Sequence, residues 1–313
     1  MPSPDVLMVG AYPEWDMAPM ESTYTLHKLW LAENKEALLE RISTHVRAIA
    51  TRGELGASSA LIDRLPRLEI IACYGVGTDA IDLTRASERG VRVTNTPDVL
   101  TEDVADFAFA LMLGSLRKVV AGDAHVRSGA WPKRNLPLGT SLHGKTLGII
   151  GFGRIGRAVA CRAAGFDVTV AYCDLMPALD SKLAYYPDPV SLARACDILV
   201  ATVSGGEATR NIVNADVLAA LGPAGLFVNV ARGSVVDQDA LIAALAEKRI
   251  AAAALDVFWN EPNIDERFLA LDNILLEPHQ SSGTVETRKA MGQLVRDNLA
   301  AHFAGRPLLT PVV

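Results

Sequence analysis

Three side chains suited to proton transfer and anion binding follow three consecutive predicted strands in the second half of the chain. They are Arg232, Glu261 and His279. Ligands bind beyond the carboxyl ends of parallel strands, so we expect these side chains to meet at one edge of a sheet. An imidazole such as His279 can donate a proton near neutral pH. Glu261 can orient that ring, and Arg232 offers a planar fork that fits a carboxylate and a carbonyl oxygen.

Each of these residues also has a purely structural interpretation. Arg232 fits a solvent-facing loop, Glu261 fits the end of an element, and His279 fits a hydrogen-bonded structural histidine. Their joint placement at successive strand ends favours a site. When a hydride reaches a ketone carbon, the oxygen gains negative charge and needs a proton donor and a fixed cation. The three residues together are suited to the reduction of a 2-oxo acid.

A glycine-rich turn supplies the second signal. Gly151, Gly153 and Gly156 lie between an apolar strand and a helix-prone segment, and Asp174 follows 18 residues after the last glycine. Such a spacing allows a tight turn, a close approach of backbone to pyrophosphate, and close packing of helix and strand. The pattern predicts a dinucleotide site.

The elements that must position these residues alternate between strand and helix. In the second half we expect strands at 146–150, 168–173, 197–203, 225–230, 250–257 and 273–277. Their carboxyl ends bring Asp174, Val203, Val230 and Asp256 to the edge that carries the glycine turn.

The first half shows the same alternation, with short apolar strands expected at 6–10, 48–51, 70–73 and 91–93. A long helical pattern over 99–126, interrupted only mildly at Gly114 and Gly122, looks like a connector between two lobes. The last helix, 286–303, suits a return to the first lobe. The sequence predicts a discontinuous substrate domain of residues 1–97 and 284–313, and a dinucleotide-binding domain of residues 98–283.

Bulk composition excludes several classes of protein. The formal net charge is -6 without a run of Lys or Arg, which argues against a nucleic-acid or anionic membrane surface. The start of the chain shows no secretion signal, no stretch of 18 apolar residues occurs, and a cytoplasmic protein is expected. The four cysteines are dispersed, so neither a disulfide framework nor a metal site is predicted.

Several motifs in order resemble the D-2-hydroxyacid dehydrogenases across nearly the whole length. These are Gly151-Phe-Gly-Arg-Ile-Gly156, Asn229-Val-Ala-Arg-Gly-Ser234, Leu255-Asp-Val-Phe-Trp-Asn-Glu-Pro262 and Pro278-His279-Gln-Ser-Ser282. The resemblance implies two doubly wound α/β domains with parallel sheets, one Rossmann-type and one flavodoxin-like, with the active site in the cleft. The segment from Asn95 to Asp106 resembles the glyoxylate, hydroxypyruvate, 2-ketogluconate and hydroxyphenylpyruvate reductase branch.

The resemblance also implies roles for individual residues. Arg232 binds substrate, Glu261 pairs with His279, and His279 is the acid in reduction and the base in oxidation. The resemblance further implies that Asp256 contacts the nicotinamide carboxamide. The N–H groups of Arg154 and Ile155 would bind the pyrophosphate, and the N–H groups of Val76 and Gly77 would bind the substrate carboxylate. By the strand-end rule, Arg52 could contact a longer substrate.

Cofactor choice and assembly follow from two further features. Many members of this branch carry Ser or Asn followed by Arg after the second strand of the nucleotide domain, whereas this chain has Asp174-Leu175. A carboxylate accepts from a ribose 2′-hydroxyl and repels a 2′-phosphate, so NAD(H) is the expected preference. NADP(H) stays open because Arg157 or Lys182 could approach. In related reductases a tryptophan near Trp131 crosses the dimer interface, so a homodimer is expected.

A rival interpretation keeps the fold as a nucleotide-sensing module, as in transcriptional corepressors that resemble this family. The presence of Arg232, Glu261 and His279 does not exclude a nucleotide sensor. Without extensions or docking segments outside the fold, the sequence favours an enzyme.

Overall fold

The computed structural model describes residues 3–313, and the chain divides into two compact units. One unit comprises the described residues up to Leu100 together with Thr284–Val313, and the other is Thr101–Gly283. Residues 98–100, which the sequence prediction assigned to the second domain, lie in the first unit. The Thr287 hydroxyl donates to the Val99 carbonyl at 3.2 Å, which ties this segment to the last helix.

The first unit is a five-stranded parallel sheet with strand order β2-β1-β3-β4-β5. Its strands are β1 (Asp5–Met8), β2 (Thr25–Lys28), β3 (Val46–Arg52), β4 (Ile70–Tyr74) and β5 (Arg92–Thr94). Its helices are α1 (Glu14–Thr23), α2 (Lys35–Ile42), α3 (Ser59–Asp63), α4 (Leu83–Glu88) and, from the end of the chain, α11 (Val285–Phe303). The central strands are buried along nearly their full length, as expected for a sheet covered on both faces.

The second unit is a seven-stranded parallel sheet with strand order β12-β11-β10-β9-β6-β7-β8. Its strands are β6 (Thr146–Ile150), β7 (Thr169–Cys173), β8 (Ala184–Tyr186), β9 (Ile198–Ala201), β10 (Leu226–Asn229), β11 (Ala252–Leu255) and β12 (Ile274–Leu276). Its helices are α5 (Thr101–Leu116), α6 (Val119–Arg127), α7 (Arg154–Ala163), α8 (Pro189–Arg194), α9 (Ala215–Leu221) and α10 (Gln238–Ala246). The prediction of two parallel-sheet α/β units is confirmed.

The prediction of one long helix over 99–126 is wrong. Lys118 has φ 55 and separates α5 from α6, while Gly114 and Gly122 lie within those helices. A left-handed residue ends the helical hydrogen-bond ladder. The Leu116 carbonyl, which loses its helical partner, instead accepts from the Thr140 N–H at 2.8 Å.

The sequence pattern also missed strands β2 and β8. Both are short edge strands, and their residues are half-buried or exposed. An edge strand lacks the continuous apolar run that marks a central strand, so hydrophobic periodicity gives little signal there.

Helices α1 and α11 are in contact where a glycine faces a buried carboxylate. Asp16 on α1 is fully buried and forms an ion pair with Arg296 on α11. A Cβ atom at Gly292 would overlap the Asp16 carboxylate. This position therefore requires glycine for packing.

We expect Gly292→Ala to lower the free energy of unfolding by about 1–3 kcal/mol, since overpacking forces the Asp16 carboxylate to move. Gly165→Ala is the matched control, because a Cβ atom there meets nothing within 4 Å. That control should leave stability unchanged or raise it slightly. Scanning calorimetry of both variants checks this, and equal melting of Gly292→Ala and wild type would contradict it.

Candidate active site

The glycine turn lies between β6 and α7, and its local packing requires glycine at two positions. Gly151 has φ 92, and a Cβ atom there would approach Val203 to 2.7 Å. A Cβ atom at Gly156 would overlap the Gly151 carbonyl oxygen, which already accepts from the Thr202 hydroxyl at 2.7 Å. Close packing of helix on strand therefore depends on Gly151 and Gly156.

Gly153 lies in open space at the start of α7. It is the N-cap of α7, it supplies no side-chain cap, and its added Cβ would meet nothing within 4 Å. The first-turn N–H groups of a helix, here those of Arg154 and Ile155, lack intrahelical acceptors and favour an anion. The residues present therefore fit the pyrophosphate of a dinucleotide.

Asp174 directly follows β7 and is fixed against the same turn. Its Oδ2 accepts from the Phe152 N–H at 2.6 Å and its Oδ1 from the Leu175 N–H at 2.7 Å. The carboxylate is partly exposed. Two backbone donors orient it at the strand end, where a ribose hydroxyl could still reach it.

Glu261 and His279 form the central contact of the site. The Nδ1 atom of His279 lies 2.6 Å from Oε2 of Glu261, and Oε1 of Glu261 accepts from the Phe258 N–H at 2.7 Å. A carboxylate only accepts, so Nδ1 carries the proton in this pair. The Nε2 atom of His279 has no hydrogen-bond partner within the described chain and is the ring nitrogen that could serve a ligand.

The charge of Glu261 is maintained against partial burial. Burial alone would raise the pKa of its carboxyl group. The hydrogen bond and positive charge of His279, the Phe258 N–H and the charge of Arg232 act the other way, and the net pKa lies below the usual value. Glu261 and His279 are hydrogen-bonded, and the positive charge of Arg232 acts on the same carboxyl group.

The loop that carries Arg232 is built on a buried amide. Asn229, at the end of β10, is fully buried, accepts from the Ala231 N–H at 3.0 Å and donates to the Arg232 carbonyl at 2.9 Å. A Cβ atom at Gly233 would overlap the backbone of Phe258. This contact joins the Arg232 loop to the loop that holds Glu261.

Asp256 follows β11 and is held by the backbone that comes after His279. Its side chain is fully buried, and its oxygens accept from the N–H groups of Gln280 at 2.6 Å and Ser281 at 2.9 Å. Burial raises the pKa of this carboxyl group, although these donors and the charge of His279 oppose the rise. The structure shows that Asp256 positions the backbone after His279, and its contact with a nicotinamide carboxamide stays a prediction.

Two other predicted cofactor contacts also lie at strand ends. Val203 is half-buried beside Gly151, whereas Val230 is nearly fully buried after β10. Sequence reasoning missed Asn229 and Ser281, which position the site. The motif around Asn229 was visible, but its amide contacts depend on the folded loop.

In the first unit, the segment after β4 presents free backbone donors. Val76 and Gly77 use their carbonyls to accept from Asn95 at 2.8 Å and from the Cys73 thiol at 3.5 Å. Their N–H groups have no partner in residues 3–313. Arg52, at the end of β3, forms an ion pair of 2.6 Å with Glu54.

The described residues contain no group of three or more His, Cys, Asp or Glu side chains that could hold a metal ion. All four cysteines are free thiols.

The low pKa of Glu261 makes the stability of the fold dependent on pH. The ionised carboxylate stabilises the folded state above the ordinary glutamate pKa of about 4.3, and this contribution is lost as pH falls through the lower folded-state value. We expect Glu261→Gln to lower the free energy of unfolding by about 1–2 kcal/mol at neutral pH. The difference in unfolding free energy between Glu261→Gln and wild type should become smaller at acidic pH.

Urea unfolding at several pH values measures this difference. The control is Glu266→Gln, which removes an exposed carboxylate from the same region of the chain. A Glu261→Gln deficit that persists unchanged in acid would contradict the assigned charge of the pair.

Comparisons with known proteins agree with this geometry. The family model for the D-isomer specific 2-hydroxyacid dehydrogenase, NAD binding domain, matches residues 109–281. A 2-ketogluconate reductase of Gluconobacter oxydans is 47% identical over 310 residues, covering 99% of each chain.

Two solved structures are similar over almost the whole chain. A 2-hydroxyacid dehydrogenase from Ketogulonicigenium vulgare superposes with a TM-score of 0.93 at 52% identity, covering 100% of this chain and 99% of that one. The second is an NADPH-dependent glyoxylate/hydroxypyruvate reductase from Sinorhizobium meliloti in complex with NADP and malonate. It superposes with a TM-score of 0.91 at 42% identity, covering 99% of this chain and 97% of that one. The chain belongs to the D-isomer specific 2-hydroxyacid dehydrogenase family.

Proposed function

We propose that this protein reduces a small 2-oxo acid to the D-2-hydroxy acid with a nicotinamide cofactor. The contact that carries the proposal is the 2.6 Å hydrogen bond between Glu261 and His279, at the sheet edge that also holds the glycine turn. When bound, the nicotinamide supplies the hydride. The residues of this chain supply the proton, the positive charge and the binding surface.

His279 is the proposed proton donor in reduction and the acceptor in oxidation. With Nδ1 hydrogen-bonded to Glu261, the ring presents Nε2 to the ketone oxygen. The Glu261 carboxylate fixes the ring orientation and stabilises the imidazolium form by its negative charge. Arg232 would hold the substrate carboxylate and carbonyl oxygen with N–H donors of its guanidinium, of which Nη1 donates to the Ala231 carbonyl at 2.7 Å in this structure.

The cofactor would be held by residues of the second unit alone. The turn at Gly151, Gly153 and Gly156 and the N–H groups of Arg154 and Ile155 suit the pyrophosphate, and Asp174 suits the ribose 2′-hydroxyl of NAD(H). Val203 and Val230 would form the apolar wall, and Asp256 would act through the backbone of Gln280 and Ser281. NADP(H) stays possible, since the Sinorhizobium meliloti reductase binds NADP.

The substrate class is drawn from the relatives. Their names specify 2-ketogluconate and glyoxylate or hydroxypyruvate. In the first unit, the free N–H groups of Val76 and Gly77 suit a carboxylate, and Arg52 suits a longer polar tail. No observation favours the corepressor reading.

An assay of glyoxylate, hydroxypyruvate, phenylpyruvate and 2-ketogluconate with NADH and NADPH tests the function. We expect oxidation of NADH with at least one of these acids, and a higher kcat/KM with NADH than with NADPH. Absence of turnover with every acid would contradict the enzyme and favour a sensor. A clear advantage for NADPH would contradict the cofactor preference.

Arg232→Gln should lower kcat/KM about 10- to 100-fold, since a charged donor to the substrate is lost. Arg194→Gln, which removes a charge from the exposed face of α8, is the control. Equal kcat/KM values for both variants would contradict the role of Arg232.

We propose that the protein is a cytoplasmic homodimer. Helix α6 has no buried residue, and exposed apolar side chains continue through the following loop: Val119, Val120, Val126, Trp131 and Leu138. So many exposed apolar side chains in one segment favour a second copy of the chain as its partner, with Trp131 reaching toward the partner's active site. Four free thiols suit a reducing compartment, and none of the described helices is long and apolar enough to span a membrane.

Sedimentation at micromolar concentration should show a dimer that Val120→Glu dissociates, because the new charge would be buried in the interface. Leu269→Glu alters an exposed leucine elsewhere in the same unit and should stay dimeric. A monomeric wild type, or equal behaviour of the two variants, would contradict the proposed surface.

A further inference from the structure

Arg157 and Asp180 form an ion pair beside the predicted adenosine end of the cofactor site. Arg157 lies on α7, and Asp180 lies on the loop between β7 and β8. The pair is bidentate: Nη1 donates to Oδ2 at 3.0 Å and Nη2 to Oδ1 at 2.9 Å. The Arg157 hydrogen bonds hold the pKa of the Asp180 carboxyl below its usual value.

A ring contact fixes where this pair lies. The Arg157 guanidinium is 4.8 Å from the centroid of Phe152, and the Phe152 ring stacks on Tyr172 of β7 at 4.1 Å. The N–H of the same Phe152 donates to Asp174 at 2.6 Å. Arg157 therefore lies at the end of β7, next to the carboxylate that distinguishes a ribose hydroxyl from a phosphate.

Charged side chains of both signs lie at this strand end. Asp174 and Asp180 contribute negative charges, and the Arg157 guanidinium between α7 and the loop of Asp180 contributes a positive one. A ribose 2′-phosphate would add nearly two negative charges and needs an available guanidinium or ammonium group. In this structure both guanidinium arms of Arg157 are engaged by Asp180.

We propose that Asp180 is a specificity-determining residue that withholds Arg157 from the 2′-phosphate of NADP(H). The inference rests on the proposed function and deepens it, because it assigns the cofactor preference to a residue besides Asp174. Exposed ion pairs are individually weak, and the Asp180 side chain is 72% exposed. Asp180 therefore shifts the preference several-fold toward NAD(H) and does not prevent NADP(H) from binding.

Removal of the Asp180 charge should free Arg157. We expect Asp180→Asn to lower the Kd for NADPH relative to that for NADH by about three- to tenfold. In the double variant Asp180→Asn/Arg157→Gln this gain should disappear. Asp239→Asn is the matched control, since it removes an exposed carboxylate that pairs with Arg267 far along the chain.

Fluorescence titration of NADH and NADPH with the full-length protein measures all four Kd ratios without turnover, and thermal melting checks that each variant folds. An unchanged ratio in Asp180→Asn, or a gain that survives Arg157→Gln, would overturn the proposal. Failure of wild type to bind either nucleotide would overturn it as well. If the predicted shift appears in a protein that reduces no 2-oxo acid, the proposed function fails while the role of Asp180 stands.

Discussion

The parallel order of the seven-stranded sheet is the constraint on which the candidate active site depends. With every strand parallel, all carboxyl ends lie at one edge, and β6 occupies a position between β9 and β7. The glycine turn, Asp174 and the loops after β10, β11 and β12 consequently share that edge. Residues more than a hundred positions apart in sequence thereby become neighbours.

Short hydrogen bonds turn that common edge into a fixed arrangement. Asn229 shapes the loop of Arg232, the Phe258 N–H and His279 hold Glu261, and Asp256 holds the backbone that follows His279. Asn229 and Asp256 are fully buried, so each would destabilise the fold without these partners. The polar network serves the geometry of the site as well as the stability of the fold.

Sequence reasoning succeeded where the signal is local. Glycine spacing and apolar strands placed the turn, and the strand-end rule placed Arg232, Glu261 and His279 in one group. The sequence did not predict features that depend on residues far apart in the chain. The helix break at Lys118, for example, is accompanied by a hydrogen bond from the Thr140 N–H to the Leu116 carbonyl. The burial of Asp256 likewise depends on the folded loop at Gln280 and Ser281.

Membership of the D-isomer specific 2-hydroxyacid dehydrogenase family narrows the chemistry to hydroxy and oxo acids, and the contacts in this chain show how individual charged residues are held. Asp174 is fixed by two backbone donors, and the neighbouring Arg157 is paired with Asp180. In the proposed function, the cofactor end and the catalytic end of the site would both depend on carboxylates that orient a cation or a proton donor.

The proposed activity depends above all on His279 supplying the proton during reduction. Its most direct test is a single-turnover measurement that mixes NADH-saturated protein with the best 2-oxo acid, for wild type and for His279→Gln. The account predicts that the rate constant falls about 10²- to 10⁴-fold while the Kd for NADH changes less than about threefold. Reduction by His279→Gln at the wild-type rate would contradict it.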